Sequence, residues 1–221
     1  MTGDAANTSA GAAGGENAAR WTSDRARRYF AERADQYDAK SRRGLWAHLR
    51  SIETPVVMQM AAVRPGERVL DAGCGAGHYT EALVAAGARV TALDALRPML
   101  ERVRERLRVE GVHGDLATVR LEPVYDKVVC AGVLEFVPDR ERALANLARG
   151  LRVEGPREIT LLILARCVTG YGYWLLRRCN GFSVPMYTRR GLERLAGEAG
   201  LRVVELRRAG FNWVARLTPI S

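Results

Sequence analysis

The segment Arg68-Val69-Leu70-Asp71-Ala72-Gly73-Cys74-Gly75-Ala76-Gly77-His78-Tyr79-Thr80 joins a short apolar run and an aspartate to three glycines at alternate positions. Its first residues predict a buried parallel strand, and a helix-like segment follows from about Gly77 to Ala86. Glycines between a strand and a helix let the backbone approach a ligand and tolerate positive φ angles. The segment therefore predicts a strand, a tight turn and a helix that faces a nucleotide-like ligand. An ordinary glycine-rich turn is the alternative.

The same segment separates two kinds of nucleotide-like ligand. Dinucleotide-binding loops follow the pattern G-x-G-x-x-G, which would put a glycine at position 78, where this chain has His78. Asp71 at the predicted strand end would repel a pyrophosphate, but it suits a ligand that carries positive charge and no phosphate. S-adenosylmethionine is such a ligand, because it carries an ammonium and a sulfonium group. An NAD-dependent oxidoreductase is the disfavoured enzyme alternative.

Later predicted strands end in residues that suit the rest of this cofactor. The strand from Ala88 to Asp94 ends in an acid 21 residues beyond Gly73, near the spacing at which a carboxylate accepts hydrogen bonds from ribose hydroxyls. A third strand, near 109–113, runs into Gly114-Asp115-Leu116, where the last two residues could bracket an adenine. A fourth strand, at 126–131, ends at Ala131 and opens into Gly132-Val133-Leu134-Glu135-Phe136-Val137.

With these motifs the chain resembles the class I S-adenosylmethionine-dependent methyltransferases, particularly the small-molecule branch that includes ubiquinone and menaquinone biosynthesis enzymes. The resemblance extends from about Tyr29 to the C-terminus; its motifs are specific for the cofactor and weak for the substrate. It implies an α/β fold, with a Rossmann-like seven-stranded, mostly parallel sheet in the order 3-2-1-4-5-7-6 and helices on both faces. The expected cofactor contacts are Tyr37, Asp71, Gly73, Gly75, Gly77, Asp94, Ala95, Asp115, Leu116 and Ala131.

Composition and pattern divide the chain into three parts. Residues 1–20 have almost no large apolar side chain and are expected to form a disordered tail. Residues 21–63 are expected to form an N-terminal helical cap over the cofactor, with helices at 21–37, 45–52 and 56–63, the last beginning at Thr54-Pro55. Residues 64–221 form the cofactor-binding domain.

Within that domain, residues 166–187 fit no sheet element and are rich in aromatic side chains. They follow the fifth predicted strand, at the edge of the sheet where ligands of such folds bind. We therefore expect an insertion that covers a substrate as a lid. An extra helix packed on the sheet edge or on a partner subunit is the alternative.

The formal net charge of +9 raises the question of a nucleic-acid partner. All but two of the 34 basic residues are arginines, and they are spread along the whole chain, which favours a solvated surface. Methyltransferases that modify nucleic-acid amino groups usually carry Asn or Asp-Pro-Pro-Tyr/Phe after the fourth strand, where this chain has Ala131-Gly132-Val133-Leu134. A nucleic-acid partner is therefore disfavoured. Peripheral contact with an anionic membrane surface and a homodimer stay open.

Compartment and metal content follow from simpler features. The longest largely apolar run, 159–165, is far shorter than the roughly 20 residues of a membrane-spanning helix. The first twenty residues lack the charged start and apolar block of a signal peptide. The four cysteines show no metal-ligand spacing, so we expect reduced thiols, a cytoplasmic protein and no metal site.

Methyl transfer from a sulfonium is an in-line displacement, for which an enzyme mainly aligns the reactants and excludes water. A base is needed only where the acceptor must lose a proton. Many members of the family carry histidine where this chain has Phe136, so that candidate base is missing. His48, Tyr171, Tyr173 and Tyr187 are catalytic candidates that the sequence does not rank. His113 is expected to pack on its strand, and His78 to open the helix beside the glycine loop.

The expected function is methyl transfer to an oxygen, nitrogen or carbon atom of a small, largely apolar or aromatic metabolite. Natural-product or cofactor biosynthesis is the favoured setting. A quinone, porphyrin or lipid precursor as the acceptor is the first alternative. A non-catalytic cofactor-binding subunit is the second, since it would keep the same glycine loop.

Overall fold

A computed structural model describes residues 43–155, 157–165 and 185–220, together with Arg28 and Glu32. Within the continuous described ranges, the helices are α1 (Gly44–Ala61), α2 (His78–Ala85), α3 (Arg97–Leu107), α4 (Arg140–Arg149) and α5 (Arg189–Glu198), and a 3₁₀ turn lies at Leu134–Phe136. The strands are β1 (Arg68–Ala72), β2 (Arg89–Asp94), β3 (Glu110–His113), β4 (Lys127–Ala131), β5 (Glu158–Leu164), β6 (Leu201–Ala209) and β7 (Asn212–Pro219).

The seven strands form one sheet in the order β3-β2-β1-β4-β5-β7-β6, which confirms the order that the family resemblance implies. The neighbouring pairs among β1 to β5 are parallel, while β7 runs antiparallel to both β5 and β6. Strand order reverses between β1 and β4, since the chain moves outward from β1 to β3 and then returns to β4. In open α/β sheets a ligand crevice forms at such a reversal.

Alternate side chains of the central strands enter two cores on opposite faces of the sheet. On β1, Val69 packs with α1 and α2, whereas the adjacent Leu70 packs with α4 and α5. The same alternation holds at Val129 and Val128 of β4. The central strands are therefore buried on both faces, as parallel strands covered by helices must be.

Helix α1 is continuous from Gly44 to Ala61, so the predicted break at Thr54-Pro55 is wrong. Pro55 lies on the exposed side of the helix, where its missing N–H costs little because water reaches the backbone. The opposite, buried face of the helix carries Glu53, Val57 and Met60, which lie before and after the position of the proline. Packing of this stripe on the sheet keeps the helix intact through Pro55.

Lys127 at the start of β4 fixes the end of α1 to the sheet. Its buried ammonium donates hydrogen bonds of 2.7 Å to the carbonyl oxygens of Ala61 and Ala62. Glu67 and Glu158 each place a carboxylate oxygen 3.7 Å from the same nitrogen. Because the C-terminus of α1 is held here, the preceding turns of α1 lie along the sheet toward its opposite, ligand-binding edge.

Other sequence predictions have mixed outcomes. Asp139 and Thr188 cap α4 and α5, each side chain accepting a backbone N–H at 3.0 Å. The prediction that His113 packs on its strand is wrong, because the side chain is exposed. β3 is an edge strand, and the His113 ring lies 3.1 Å from the Ala95 oxygen.

Cys74 and Cys130 are buried free thiols. No helix in the described part of the chain is long and apolar enough to cross a membrane. The predicted tail, the helix at 21–37 and most of the 166–187 insertion lie outside the described residues.

Candidate functional site

A cavity opens at the carboxyl ends of β1, β2 and β4, beside the reversal of strand order. One side, here called the loop wall, consists of the turns that follow β1, β2 and β3: Gly73–Ala76, Asp94–Leu96 and Asp115–Leu116. The other side, here called the helix wall, consists of Arg50 from α1 and of His78 and Tyr79 from the start of α2. The turn after β4 closes the floor with Ala131, Gly132, Val133, Phe136 and Val137.

The glycine turn after β1 is held by backbone bonds rather than by side chains. The amides of Gly73 and Cys74 both donate to the Leu93 carbonyl of β2, at 2.8 and 3.0 Å. Gly73 has a φ of +80°, and a Cβ there would lie 2.5 Å from Val133 Cγ2. At Gly75 and Gly132, by contrast, a Cβ would meet no atom within 4 Å. The backbone at these two positions faces open space that a ligand can fill.

Asp94 joins two turns of the loop wall. One carboxylate oxygen accepts the Gly75 N–H and the other accepts the Leu96 N–H, both at 2.8 Å. Burial raises the pKa of Asp94, and these backbone hydrogen bonds oppose that rise. Each oxygen retains a further lone pair, and the side chain lines the cavity. Asp94 can therefore accept hydrogen bonds from ligand hydroxyl groups while it orders the glycine turn.

The turn after β3 adds an acid and an apolar surface. Asp115 accepts the Ala117 N–H at 2.8 Å, which fixes the direction of its carboxylate. The buried side chain of Leu116 and the side chain of Met99 from α3 line the same end of the cavity. An apolar slot beside a hydrogen-bonding acid suits a flat aromatic base with polar edges.

Two residues of the predicted cofactor set are packed in the glycine segment beneath the cavity. Asp71 is buried, and its carboxylate accepts the Thr80 hydroxyl at 2.5 Å. Burial raises the pKa of Asp71 to about 7, the nearby Asp94 adds to the rise, and the Thr80 bond opposes it. Gly77 begins α2 so close to α3 that a Cβ would lie 2.9 Å from Arg106 Nη2 and Val103 Cγ2. Both residues support the loop wall, and direct ligand contact from either stays a prediction.

The helix wall brings together polar side chains from distant parts of the chain. The Thr54 hydroxyl of α1 lies 2.7 Å from His78 Nε2 of α2, so the two helices are linked beside the cavity. The His78 and Tyr79 rings meet edge to face, with centroids 5.0 Å apart. Among the described cavity-lining residues, Arg50 is the one arginine or lysine. The helix wall therefore offers a cation, an imidazole and a phenol.

Glu53 lies one turn after Arg50 on α1 and is 8% exposed. The side-chain amide of Asn212, the first residue of β7, donates to Glu53 Oε1 at 2.5 Å. Burial raises the pKa of Glu53 to about 7. The carboxylate of Glu135 adds to the rise, while the Asn212 bond and Arg50 oppose it. Two acids and an arginine thus share the region between the helix wall and the carboxyl ends of β4 and β5.

Neither of the two catalytic candidates that the structure describes, His48 and Tyr187, lines the cavity. His48 is exposed on α1, and its carbonyl accepts the Ser51 hydroxyl at 2.7 Å. Tyr187 is half-buried next to the end of β5, and its carbonyl accepts the Trp213 indole N–H at 3.0 Å. Burial raises the pKa of the Tyr187 hydroxyl. Tyr37, Tyr171 and Tyr173 lie outside the described residues.

The sequence analysis missed Arg50, Glu53, Tyr79 and Asn212. A signal for Glu53 was present, because it occupies the apolar face of α1 at helical spacing from Val57 and Met60. A lone acid on such a face is a buried charge that needs partners. The prediction of two helices around Pro55 interrupted this periodicity. Nothing local marks Asn212, since it meets Glu53 only through the pairing of β7 with β5.

The fold and the cavity define a class: an α/β protein that holds a nucleotide-like cofactor at the carboxyl edge of its sheet. A family model described as a methyltransferase domain matches residues 70–156. The chain is 31% identical over 161 residues to the ubiquinone biosynthesis O-methyltransferase of Thiobacillus denitrificans, covering 66% of this chain and 69% of that protein. The chain belongs to the class I S-adenosylmethionine-dependent methyltransferase family.

The chain is also similar to a second curated methyltransferase and to a solved methyltransferase structure. The Bordetella parapertussis ubiquinone biosynthesis O-methyltransferase is 37% identical over 103 residues, which are 42% of this chain and 43% of that protein. The chain thus matches less than half of the length of this relative. The magnesium protoporphyrin IX methyltransferase of Synechocystis PCC 6803, solved with bound S-adenosylhomocysteine, has the same fold: the TM-score is 0.69 at 18% identity, over 90% of this chain and 100% of that one.

Proposed function

We propose that the protein transfers a methyl group from S-adenosylmethionine to a small, largely apolar or aromatic metabolite. The observation that carries the proposal is the loop wall, in which a glycine turn and two acids follow three adjacent parallel strands around one cavity. Asp94 would accept the ribose hydroxyls, with Ala95 beside it. Asp115 and Leu116 would flank the adenine, and the open space at Gly75 and Gly132 leaves room for the cofactor's backbone contacts.

The helix wall would hold the amino-acid end of the cofactor. Arg50 can pair with its carboxylate, and the N-terminus of α2 at His78 also favours negative charge. The Ala131 carbonyl region would face the ammonium. This arrangement leaves the methyl group toward the floor and the helix wall, where Val133 and Phe136 exclude water. Alignment in a dry site supplies most of the rate enhancement for a displacement of this kind.

The acceptor class is supported by the apolar floor of the cavity and by the relatives. By their names, these relatives act in ubiquinone biosynthesis and on magnesium protoporphyrin IX. Acceptors of the quinol and porphyrin-precursor types are therefore the first to test, followed by aromatic natural-product precursors. The proposal also includes a lipid precursor as a further acceptor, a homodimer and peripheral membrane contact.

The test is a methyl-transfer assay with S-adenosylmethionine labelled in its methyl group. The acceptor panel contains a catechol, a phenol, a hydroquinone, a porphyrin carboxylate and a primary aromatic amine. We expect label in at least one product, and we expect the Asp94→Ala protein to lose it. A protein that binds S-adenosylhomocysteine but labels no acceptor in the panel or in a metabolite extract would favour the non-catalytic cofactor-binding alternative.

A further inference from the structure

His78 occupies the position at which the glycine motif of dinucleotide-binding loops would require a glycine. It is the first residue of α2, directly after Gly77, and it lines the cavity. The turn before it is made of small residues, from Gly73 to Gly77. The structure therefore places an imidazole next to the glycine turn, in a position where it can contact a bound ligand.

The His78 ring is held by neighbours on two helices. The Thr54 hydroxyl of α1 lies 2.7 Å from its Nε2 atom. The Tyr79 ring meets the imidazole edge to face, with an angle of 82° between the ring planes. Both the hydroxyl and the ring nitrogen can donate or accept, and in either direction the hydrogen bond restricts the orientation of the ring. The imidazole is thus oriented at the cavity wall before any ligand binds.

Thr54 also relates His78 to Arg50. The two α1 residues Arg50 and Thr54 are four positions apart, so they are neighbours on one face of the helix. Arg50 lines the cavity, and Thr54 contacts the His78 ring at the same wall. The guanidinium group of α1 and the imidazole of α2 therefore border the same part of the cavity.

The charges of the two cavity walls differ, and the difference decides where a ligand carboxylate can lie. Asp94 and Asp115 line the loop wall, and their negative charges repel a carboxylate. Arg50 on the helix wall attracts it, and so does the positive end of the α2 dipole. The amino-acid tail of S-adenosylmethionine ends in a carboxylate. Its favourable place is therefore the helix wall, beside the residue that begins α2.

We infer that the His78 imidazole donates a hydrogen bond to the carboxylate of the cofactor's amino-acid tail, and that Thr54 is the positioning residue that orients it. This inference rests on the proposed function. It adds a second donor, on a second helix, to the one that Arg50 supplies. The loop wall then selects the adenosine part of the ligand, and His78 with Thr54 selects the tail. Holding both ends of the cofactor fixes the direction of the sulfonium, which an in-line displacement requires.

Calorimetric titration with two ligands tests the inference without any methyl acceptor. S-adenosylhomocysteine has the complete tail, whereas its decarboxylated analogue, S-adenosyl-3-thiopropylamine, lacks only the carboxylate. The quantity to measure is the dissociation constant of the analogue divided by that of S-adenosylhomocysteine, here called the carboxylate ratio. For the wild-type protein we expect a carboxylate ratio of at least about 30, because the analogue loses its hydrogen bonds to Arg50 and His78.

Two variants with conserved shape separate recognition from structural support. His78→Phe keeps a ring against Tyr79 and removes both nitrogens, so the carboxylate ratio should fall by about tenfold or more. Thr54→Val keeps the branched side chain and removes the hydroxyl, so the ratio should fall by about three- to tenfold. In both variants the affinity for the decarboxylated analogue should change by less than about threefold. Because Thr54 acts through His78, the double variant should have the carboxylate ratio of His78→Phe alone.

The matched control is His48→Phe, the same substitution at an exposed position of α1, which should keep the wild-type ratio. A wild-type ratio in His78→Phe overturns the inference, and so does equal weakening of both ligands, which is the result of a purely structural role. Additive effects in the double variant would overturn the positioning role of Thr54. The wild-type ratio needs no variant to fold. If both ligands bind the wild-type protein equally, only the inference fails; if neither binds, the proposed function fails with it.

Discussion

The two walls of the cavity are built in opposite ways. The loop wall consists of three turns that each follow a strand, and its key contacts run through the backbone. The helix wall is assembled from side chains of α1 and α2, which are distant in the sequence. Behind it, Asn212 at the start of β7 binds Glu53 of α1. A wall made of local turns can be recognised from a short motif. A wall made of distant side chains can be specific to one acceptor, because each of its members can change without altering the fold.

The largest expected effect comes from breaking the loop wall at Gly73. In Gly73→Ala the new Cβ would lie 2.5 Å from Val133 Cγ2, at a φ of +80°. Relief requires movement of the turn or of the cavity floor, so S-adenosylhomocysteine binding should weaken by at least about 100-fold. Calorimetric titration measures this change.

The matched control for Gly73→Ala is Gly66→Ala. Gly66 has a similar φ of +85°, but a Cβ there would meet nothing within 4 Å. We expect a loss of about 1–2 kcal/mol in the free energy of unfolding and unchanged binding. Equal binding by the two variants would show that the contact of a Cβ at position 73 with Val133 does not control cofactor binding.

A second prediction concerns stability and tests whether Glu53, on the helix α1 that contributes to the helix wall, is buried at a cost in free energy. The pKa of Glu53 rises from 4.5 to about 7 on folding. Between these pH values the folded protein holds a proton that the unfolded chain has released, so this group's contribution to stability falls as pH rises through the window. Glu53→Gln removes that loss. The variant should be more stable than wild type by about 2–3 kcal/mol at pH 8, with little difference near pH 4.

Urea unfolding at several pH values between 4 and 8 measures the second prediction. Asp71, whose pKa is also raised to about 7, leaves a similar pH dependence in both proteins, so the difference between them isolates Glu53. Glu110→Gln should follow the wild-type curve. Parallel curves for Glu53→Gln and wild type would mean that Glu53 is not an acid held at a cost in stability.

These differences also explain which parts of the site the sequence predicts and which it does not. The glycine turn, Asp94 and Asp115 are read from strand ends and spacing, because local geometry places them at one edge of a parallel sheet. The sequence does not predict that Thr80 and Arg106 support that turn. Thr80 of α2 donates to Asp71 of β1, and Arg106 of α3 donates to the Ala76 carbonyl, so each contact joins two separate elements. The sequence did not point to Glu53, because a helix break was predicted at Pro55. In the structure, packing of α1 on the sheet keeps the helix continuous through Pro55. Asn212 depends on strand order, which the family resemblance implied without giving register.

The smallest expected effect tests which face of α1 belongs to the helix wall. His48 lies on the same helix as Arg50 and Glu53, but its side chain is exposed. His48→Ala should change S-adenosylhomocysteine affinity by less than about twofold and the free energy of unfolding by less than about 0.5 kcal/mol. Calorimetry and urea unfolding are again the measurements. A loss of tenfold or more would place the outer face of α1 in the site and would undo the division into two walls.

The most direct test of cofactor binding at the loop wall is calorimetric titration of S-adenosylhomocysteine into wild-type and Asp94→Ala protein. Asp94 accepts two backbone amides at 2.8 Å and lines the cavity, so its removal loosens the glycine turn and removes the acceptor for the ribose hydroxyls. We expect one molecule bound per wild-type chain and an affinity about ten- to a hundredfold lower in the variant, or roughly 1.5–3 kcal/mol. Equal affinity in the two proteins, or no binding by the wild type, would contradict the assignment.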